Sequence, residues 1–463
     1  MFFSRKLVNL FVNDRKDNNK TDNNIMSNKH ISLRLIIMNF LQYAVWGAYL
    51  TSMGSFLGKA GLGPQIWLFF ATQGFVSIFM PALIGIVADR WIPAQKTLSL
   101  CQIIAGATML GAGLYAMGNV NLTDGAYAVD PGFNFSVFYI LYTVSVAFYM
   151  PTIALTNSVA YAGLEGAGKD TVKAFPPIRV FGTVGFICTM LFVNFMRDPS
   201  GIQYQHSYYQ FFTSGALSLA LGAYALTLPD VPVKKTSGSS FMEASGLKAF
   251  SLFKDRQMAV FFIFSMLLGA SLQITNGYAN TFISSFAGSP EYANAWGARN
   301  ANALISLSQM SETLCILLIP FFMKRLGIKK VMLIAMFAWV LRFGFFGIGN
   351  PGAGVWLFIL SCLVYGVAFD FFNISGSLYV NRKTTKDIRS SAQGLFMLMT
   401  NGLGASIGTW AAGKVVNHYV YNADQPDWAA AWYLFAGYAL IVGILFIFLF
   451  KDPGKDENSA EAA

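Results

Sequence analysis

The chain has 463 residues, 55% of them hydrophobic and 12% charged, where soluble domains average roughly 25% charged. No aqueous core takes in that many apolar side chains, 43 of them Phe, so a soluble globular protein is excluded and lipid is the expected solvent. The formal charge of +10 would point to nucleic acid or anionic lipid, but its placement along the chain points elsewhere.

The chain opens with MFFSRKLVNLFVNDRK, where charges follow a short apolar run, so no signal peptide is evident. Residues 1–30 are polar and Asn-rich (NDRKDNNKTDNN), the composition of a disordered tail. Met26 leads into SNKHISLRL, and a chain started there is expected to be fully active, because no membrane span precedes it.

A bilayer core takes about 20 apolar residues per helix. Runs of that kind lie near 31–57, 64–88, 96–118, 133–160, 177–196 and 207–228. A polar segment, 229–256, separates them from six more near 257–286, 297–322, 328–349, 353–380, 390–416 and 429–450. A charged tail, 451–463, follows. The expectation is an all-α membrane protein of twelve transmembrane helices in two six-helix bundles, 31–228 and 257–450. If the N-terminus is cytoplasmic, 26 of the 32 Lys and Arg fall in cytoplasmic segments and four in external ones. That split obeys the positive-inside rule, so the charge is a topology signal rather than a nucleic-acid surface. GIVADRWIPAQK (Gly85–Lys96) and MKRLGIKK (Met323–Lys330) stand between the second and third spans of each half, the weak internal symmetry of repeat-built transporters.

Catalytic and metal signals are missing. Cys101, Cys188, Cys315 and Cys362 are scattered through apolar runs without ligand spacing and read as packing residues. His30, His206 and His418 lie in the tail or loops, and there is no nucleophile elbow or phosphate loop. An enzyme, an ATP-driven pump and a bound cofactor are therefore not expected.

Arg179, Glu312, Arg342 and Asp370 are the charges within spans. Arg179 follows Pro176–Pro177, a pair suited to a helix start, and both arginines read as snorkelling to a membrane face. Glu312 and Asp370 have apolar neighbours on both sides, and a charge in lipid costs several kcal/mol, so they are expected to face an interior path. Helical spacing puts Gln309 with Glu312, Gln273 with Asn276, and Tyr365 with Phe369 and Asn373 on shared faces. Arg179, Thr183 and Phe186 share another. Such stripes also serve as interhelical glue, at about 0.6 kcal/mol per bond. As a binding set, the amides match nucleobase edges and the rings can stack a heterocycle. The acids can accept from vicinal hydroxyls. A nucleoside fits this set best, and a sugar less well.

The twelve spans, the central loop and Gly85–Lys96, a degenerate G-x-x-x-D-R, resemble the major facilitator superfamily. Within it, FPPIRVFGTVGF, FFIFSMLLGASLQITN, SQMSETLCILLIPFF, YGVAFDFFNISGS and SAQGLFMLMTNG are similar to the bacterial nucleoside–proton symporters, a likeness running from Ser32 to Lys451. The resemblance implies proton-driven nucleoside import across the inner membrane, by a carrier that works as a monomer with both termini cytoplasmic. It implies a substrate site of Arg179, Thr183, Phe186, Gln273, Asn276, Gln309, Glu312, Tyr365 and Phe369. Asp370 would couple the proton, with Glu312 second. One departure is Ser271, where relatives carry Glu two positions before the matching Gln. A sugar–proton symporter or a drug–proton antiporter on the same fold are the alternatives. In NGLGASIGTWAAG, Gly404 and Gly408 form GxxxG, read equally as a moving seam or as static packing.

Overall fold

The computed structural model describes residues 30–123, 125–231, 247–385 and 388–451. The polar tail with Met26, most of segment 229–256 and nearly all of 451–463 lie outside the described residues.

Apolar runs become helices throughout. The first gives α1 (Ile31–Gly47) and α2 (Met53–Lys59), broken between them. At the break the Ser52 hydroxyl bonds back to the Ala48 carbonyl, while that of Thr51 turns out to Asn302. Such side chains compete with the backbone for its own partners. Then come α3 (Ile66–Arg90), α4 (Ala94–Asn119), a short antiparallel hairpin of β1 (Val120–Thr123) and β2 (Ala126–Val129), α5 (Phe135–Gly166), α6 (Thr171–Phe195) and α7 (Tyr209–Ala225). The second half holds α8 (Arg256–Ser285), the short α9 (Trp296–Arg299), α10 (Ala301–Ile348), α11 (Val355–Lys383), α12 (Arg389–Met397), α13 (Ala405–Val416) and α14 (Trp428–Leu449). Among the described residues, eight helical stretches are long and apolar enough to cross a membrane. Large apolar side chains such as Leu314, Ile140 and Phe448 point outward, as a lipid solvent requires.

Three local outcomes differ from the sequence reading. The runs near 297–322 and 328–349 are two helices, as read, but they meet at a single non-helical residue, Gly327 with φ 75°, and are labelled here as the two arms of α10. Only glycine takes that conformation without strain, so the basic hinge read there shrinks to one residue. The run near 390–416 is not a plain helix: π turns occupy Leu398–Gly404 and Asn417–Tyr421. The GxxxG glycines in and after the first π turn sit at close helix contacts. A Cβ on Gly404 would lie 2.3 Å from the Met266 carbonyl oxygen, and one on Gly408 would lie 2.1 Å from the Ala270 Cβ. Finally, α6 begins at Thr171, so Pro176 and Pro177 lie in its second turn rather than at its start.

In the first half α1 packs on α6 and α7, and α4 on α5 and α7. In the second the two arms of α10 pack on α11 and α14. Across the halves α2 meets α8, α3 meets α13, and α6 meets α10. These cross-contacts are tightest at the end remote from Ile31, here called distal. There a Cβ on Gly54 would lie 2.3 Å from the Gly277 carbonyl oxygen, and the Tyr421 ring fills the space beside Gly63.

A buried amide network completes this distal seam. The Gln205 amide donates to Asn194 Oδ1, Gln203 Oε1 and the Arg299 carbonyl at 3.1–3.2 Å. Its oxygen accepts from Asn280 Nδ2 at 3.2 Å and the Asn302 backbone at 3.3 Å. Asn302 Oδ1 accepts from Asn280 at 2.7 Å and from Thr51 at 2.9 Å. Asn194 joins Asn300 at 2.9 Å. The seam thus ties α1–α2, α6 and the 196–208 loop to α8 and α10 through neutral dipoles.

Candidate functional site

Proximal to the seam, half-buried Arg179 of α6 and Glu312 of α10 come near buried Asp370 of α11. Arg179 of α6 lays its guanidinium over the Tyr43 ring of α1, 3.9 Å from the centroid. Gly182 makes that possible, since a Cβ there would press on both Tyr43 and the Arg179 fork. Glu312, on the first arm of α10, lies within electrostatic range of Arg179, Tyr43 and Asp370. Neither acid is within salt-bridge distance of an arginine, among the described residues. Asp370 is 4% exposed, and its Oδ2 is buried without a hydrogen-bond partner. An orphaned carboxylate oxygen leaves a proton as its natural partner.

Beside the acids stands an aromatic slab. Tyr365 and Phe369, one turn apart on α11, stack with ring centroids 5.9 Å apart and planes 10° off parallel. Gln309 of α10 lies near the Tyr365 hydroxyl. The first half contributes rings and amides of its own. Phe186 of α6 meets Trp46 edge-on at 6.3 Å, and Trp46 Nε1 reaches Gln73 Oε1 at 3.4 Å. Thr183 is half-buried between Arg179 and Phe186. On α8, Asn276 Nδ2 and Gln273 Oε1 approach to 3.4 Å, a weak bond that leaves both amides with spare donors and acceptors. Among the described residues neither bonds to the acids. Ser271 is buried roughly 200° around the helix from Gln273, off the face the two amides share.

Arg342 corrects the sequence reading. It does not snorkel: the residue is 1% exposed, and its Nη1 donates to the Ser361 carbonyl at 2.7 Å and to Ser308 Oγ at 3.3 Å. Its guanidinium lies 4.6 Å from the Tyr365 centroid, backing the slab from the distal side. Tyr43 and Trp46 were missed, although their i,i+3 spacing in LQYAVWGAYL is the same signal used for the other stripes. Three cysteines are buried as read, but Cys188 faces outward. Elsewhere polar residues in spans do act as glue: Gln42, Gln102 and Thr152 bond one another within the first half.

The chain matches the family model described as Nucleoside H+ symporter over residues 29–455. It is 44% identical over 438 residues to xanthosine permease of Escherichia coli K12, covering 93% of this chain and 99% of that protein. The crystal structure of the nucleoside transporter NupG aligns with a TM-score of 0.80 at 42% identity, over 91% of this chain and 99% of that one. The xylose transporter XylE from E. coli, in an inward open conformation, shares the fold alone, with a TM-score of 0.61 at 14% identity over 93% of this chain and 98% of that one.

Proposed function

We propose a working cycle from one premise: the chain belongs to the nucleoside–proton symporter family, and its activity is proton-coupled nucleoside import. It is a multi-pass membrane protein with the fold of the major facilitator transporters. In the proposed arrangement twelve crossings form two six-helix bundles in a bacterial inner membrane, joined by a cytoplasmic loop over 229–256. Both termini are cytoplasmic, as 26 of 32 basic residues favour. The distal end then faces outside, and its seam closes the path from that side.

The observation that carries the site assignment is the run of interacting charges Arg179–Glu312–Asp370 beside the Tyr365–Phe369 slab. The slab stacks the base, with Phe186 opposite. Gln273, Asn276 and Gln309 read its edges. Glu312 accepts from the ribose hydroxyls, with Arg179 and Thr183 closing the other side. Asp370 takes the proton from outside and gives it up inside. Proton and nucleoside drive the cycle only because both prefer the occluded form to the empty one. No cofactor or catalytic residue enters, and one chain suffices. The amide edges favour this set over a sugar or drug site.

Calorimetry on the purified chain should show nucleosides binding more tightly than the matching free bases or hexoses. Gln273→Ala and Asn276→Ala should each weaken binding by about 1–3 kcal/mol. If both variants bind like wild type, these amides are glue. Proteoliposomes should accumulate labelled uridine and adenosine when an inward proton gradient is imposed, and hexose uptake in their place would overturn the reading.

A further inference from the structure

We propose that the distal cavity outside the seam is a second nucleoside site, an outer vestibule that holds substrate while the path to Glu312 is shut. Its ligand rests on the transport reading above; its existence rests on the cavity.

The cavity measures about 830 Å³, within the range of roughly 300–1,000 Å³ usual for small-molecule sites. Both halves line it: Ser55 and Lys59 from α2, and Thr281, Tyr421, Asp427 and Trp428 from the second half. The seam residues Gln205, Asn280 and Asn302 are not among its lining. A ligand in it therefore does not compete with closure.

Its walls carry unspent bonding capacity. Thr281 Oγ1 and Tyr421 Oη are buried without hydrogen-bond partners among the described residues. Both lie against Gly58, where a Cβ would come within 3.1 Å of Tyr421 Oη and 3.2 Å of Thr281 Cγ2. Lys59 has no ion pair among the described residues, and burial without a compensating anion pulls its ammonium down to about 8. Its side chain is nevertheless open to water, as expected of a group walled by protein around a roomy cavity. His206 stands behind it, 2.8 Å from Ser55 Oγ through Nδ1. Burial, and then repulsion from Lys59, push its imidazole well down, so Lys59 supplies the cavity's positive charge. On the other wall Asp427 caps α14 through Ala430 N at 2.9 Å, and its second oxygen has no hydrogen bond among the described residues. Trp428 and Phe282 add ring surface, with centroids 5.6 Å apart.

One cation, one anion, hydroxyls of either role and aromatic surface select a neutral ligand with donors, acceptors and a flat ring. Lys59 and Asp427 cancel, so the cavity has no net positive charge to offset the dehydration of a phosphate dianion, and a nucleotide is disfavoured, as is a cationic drug. A nucleoside meets each wall with a complement. Held there, it is one seam opening from the central site, which raises its effective concentration at that moment.

The test uses the full chain with Cys188→Ser and Ser285→Cys. Ser285 lines the cavity and is exposed, and the other cysteines are buried. The maleimide labelling rate is read with and without millimolar uridine, and central binding is read by equilibrium dialysis at micromolar uridine, too dilute to fill the vestibule. Uridine should slow labelling severalfold, and should still do so when Arg179→Met has removed central binding. Lys59→Met with Thr281→Val should abolish protection while dialysis stays normal, and uridine 5′-monophosphate should protect much less. Absent protection in protein that binds uridine centrally would overturn the vestibule, as would equal protection by the monophosphate. So would protection that disappears with Arg179→Met. Absence of both protection and central binding would overturn the transport reading along with it.

Discussion

Asp370→Asn should abolish accumulation of nucleoside against a gradient while changing equilibrium binding by less than about threefold, under 1 kcal/mol. Asparagine has the shape of the protonated acid and cannot exchange the proton. The Oδ2 it replaces has no protein donor to lose, so little packing or hydrogen bonding changes. What disappears is the exchange, and uptake should then only equilibrate. Glu312→Gln should fail in the opposite way. It keeps the shape but gives up a charged acceptor beside Arg179, worth about 1.5–3 kcal/mol where a ribose hydroxyl is bound, so affinity should fall ten- to a hundredfold. Equilibrium binding and proteoliposome uptake at several external pH values separate the two. Concentrative, pH-dependent uptake by Asp370→Asn would move the proton to Glu312. Undiminished binding by Glu312→Gln would leave that carboxylate without its proposed role.

The second large effect is expected at the seam. Gln205→Leu conserves volume but removes five hydrogen-bond contacts. The Arg299 carbonyl and the Asn302 backbone N–H lose the bonds Gln205 gives them. At about 1–3 kcal/mol for each stranded buried group, the closed seam should weaken by about 2–6 kcal/mol. Every 1.4 kcal/mol is about a tenfold shift in population, so an outward-open form should become dominant. Uptake should drop more than tenfold. A cysteine replacing buried Ser306, unreactive in the parent chain, should become accessible to maleimide. Central binding and thermal stability measured on the same samples guard against simple misfolding. Unchanged uptake and labelling would remove the seam from the cycle.

Much of this was legible because lipid makes polarity conspicuous. Glu312 and Asp370 stand out in apolar runs, and the structure puts them in electrostatic reach of each other across two helices. The amide and aromatic stripes followed from helical spacing alone. Arg342 was misread because a sequence gives depth along a helix but not which neighbours wait at that depth: Ser308 and Ser361, far off in the chain, turn a costly charge into a bonded one. Tyr43 and Trp46 were passed over because rings in an apolar run look like core. The seam was invisible for another reason. Gln205 sits in a loop, a place where polar residues need no explanation, and only the fold brings it to Asn280 and Asn302.

The corner at Gly327 has a consequence in rotational phase. Gln309 and Glu312 ride on one arm of α10 and Arg342 on the other, with one non-helical residue between the arms. Each helical residue advances the following side chains by about 100°. A single residue inserted beside Gly327 would therefore swing Arg342 about a quarter turn or more away from Ser361 and the Tyr365 ring, with no loop to absorb the error. The register that sets Glu312 on one arm is thus counted through Gly327 to set Arg342 behind Tyr365 on the other.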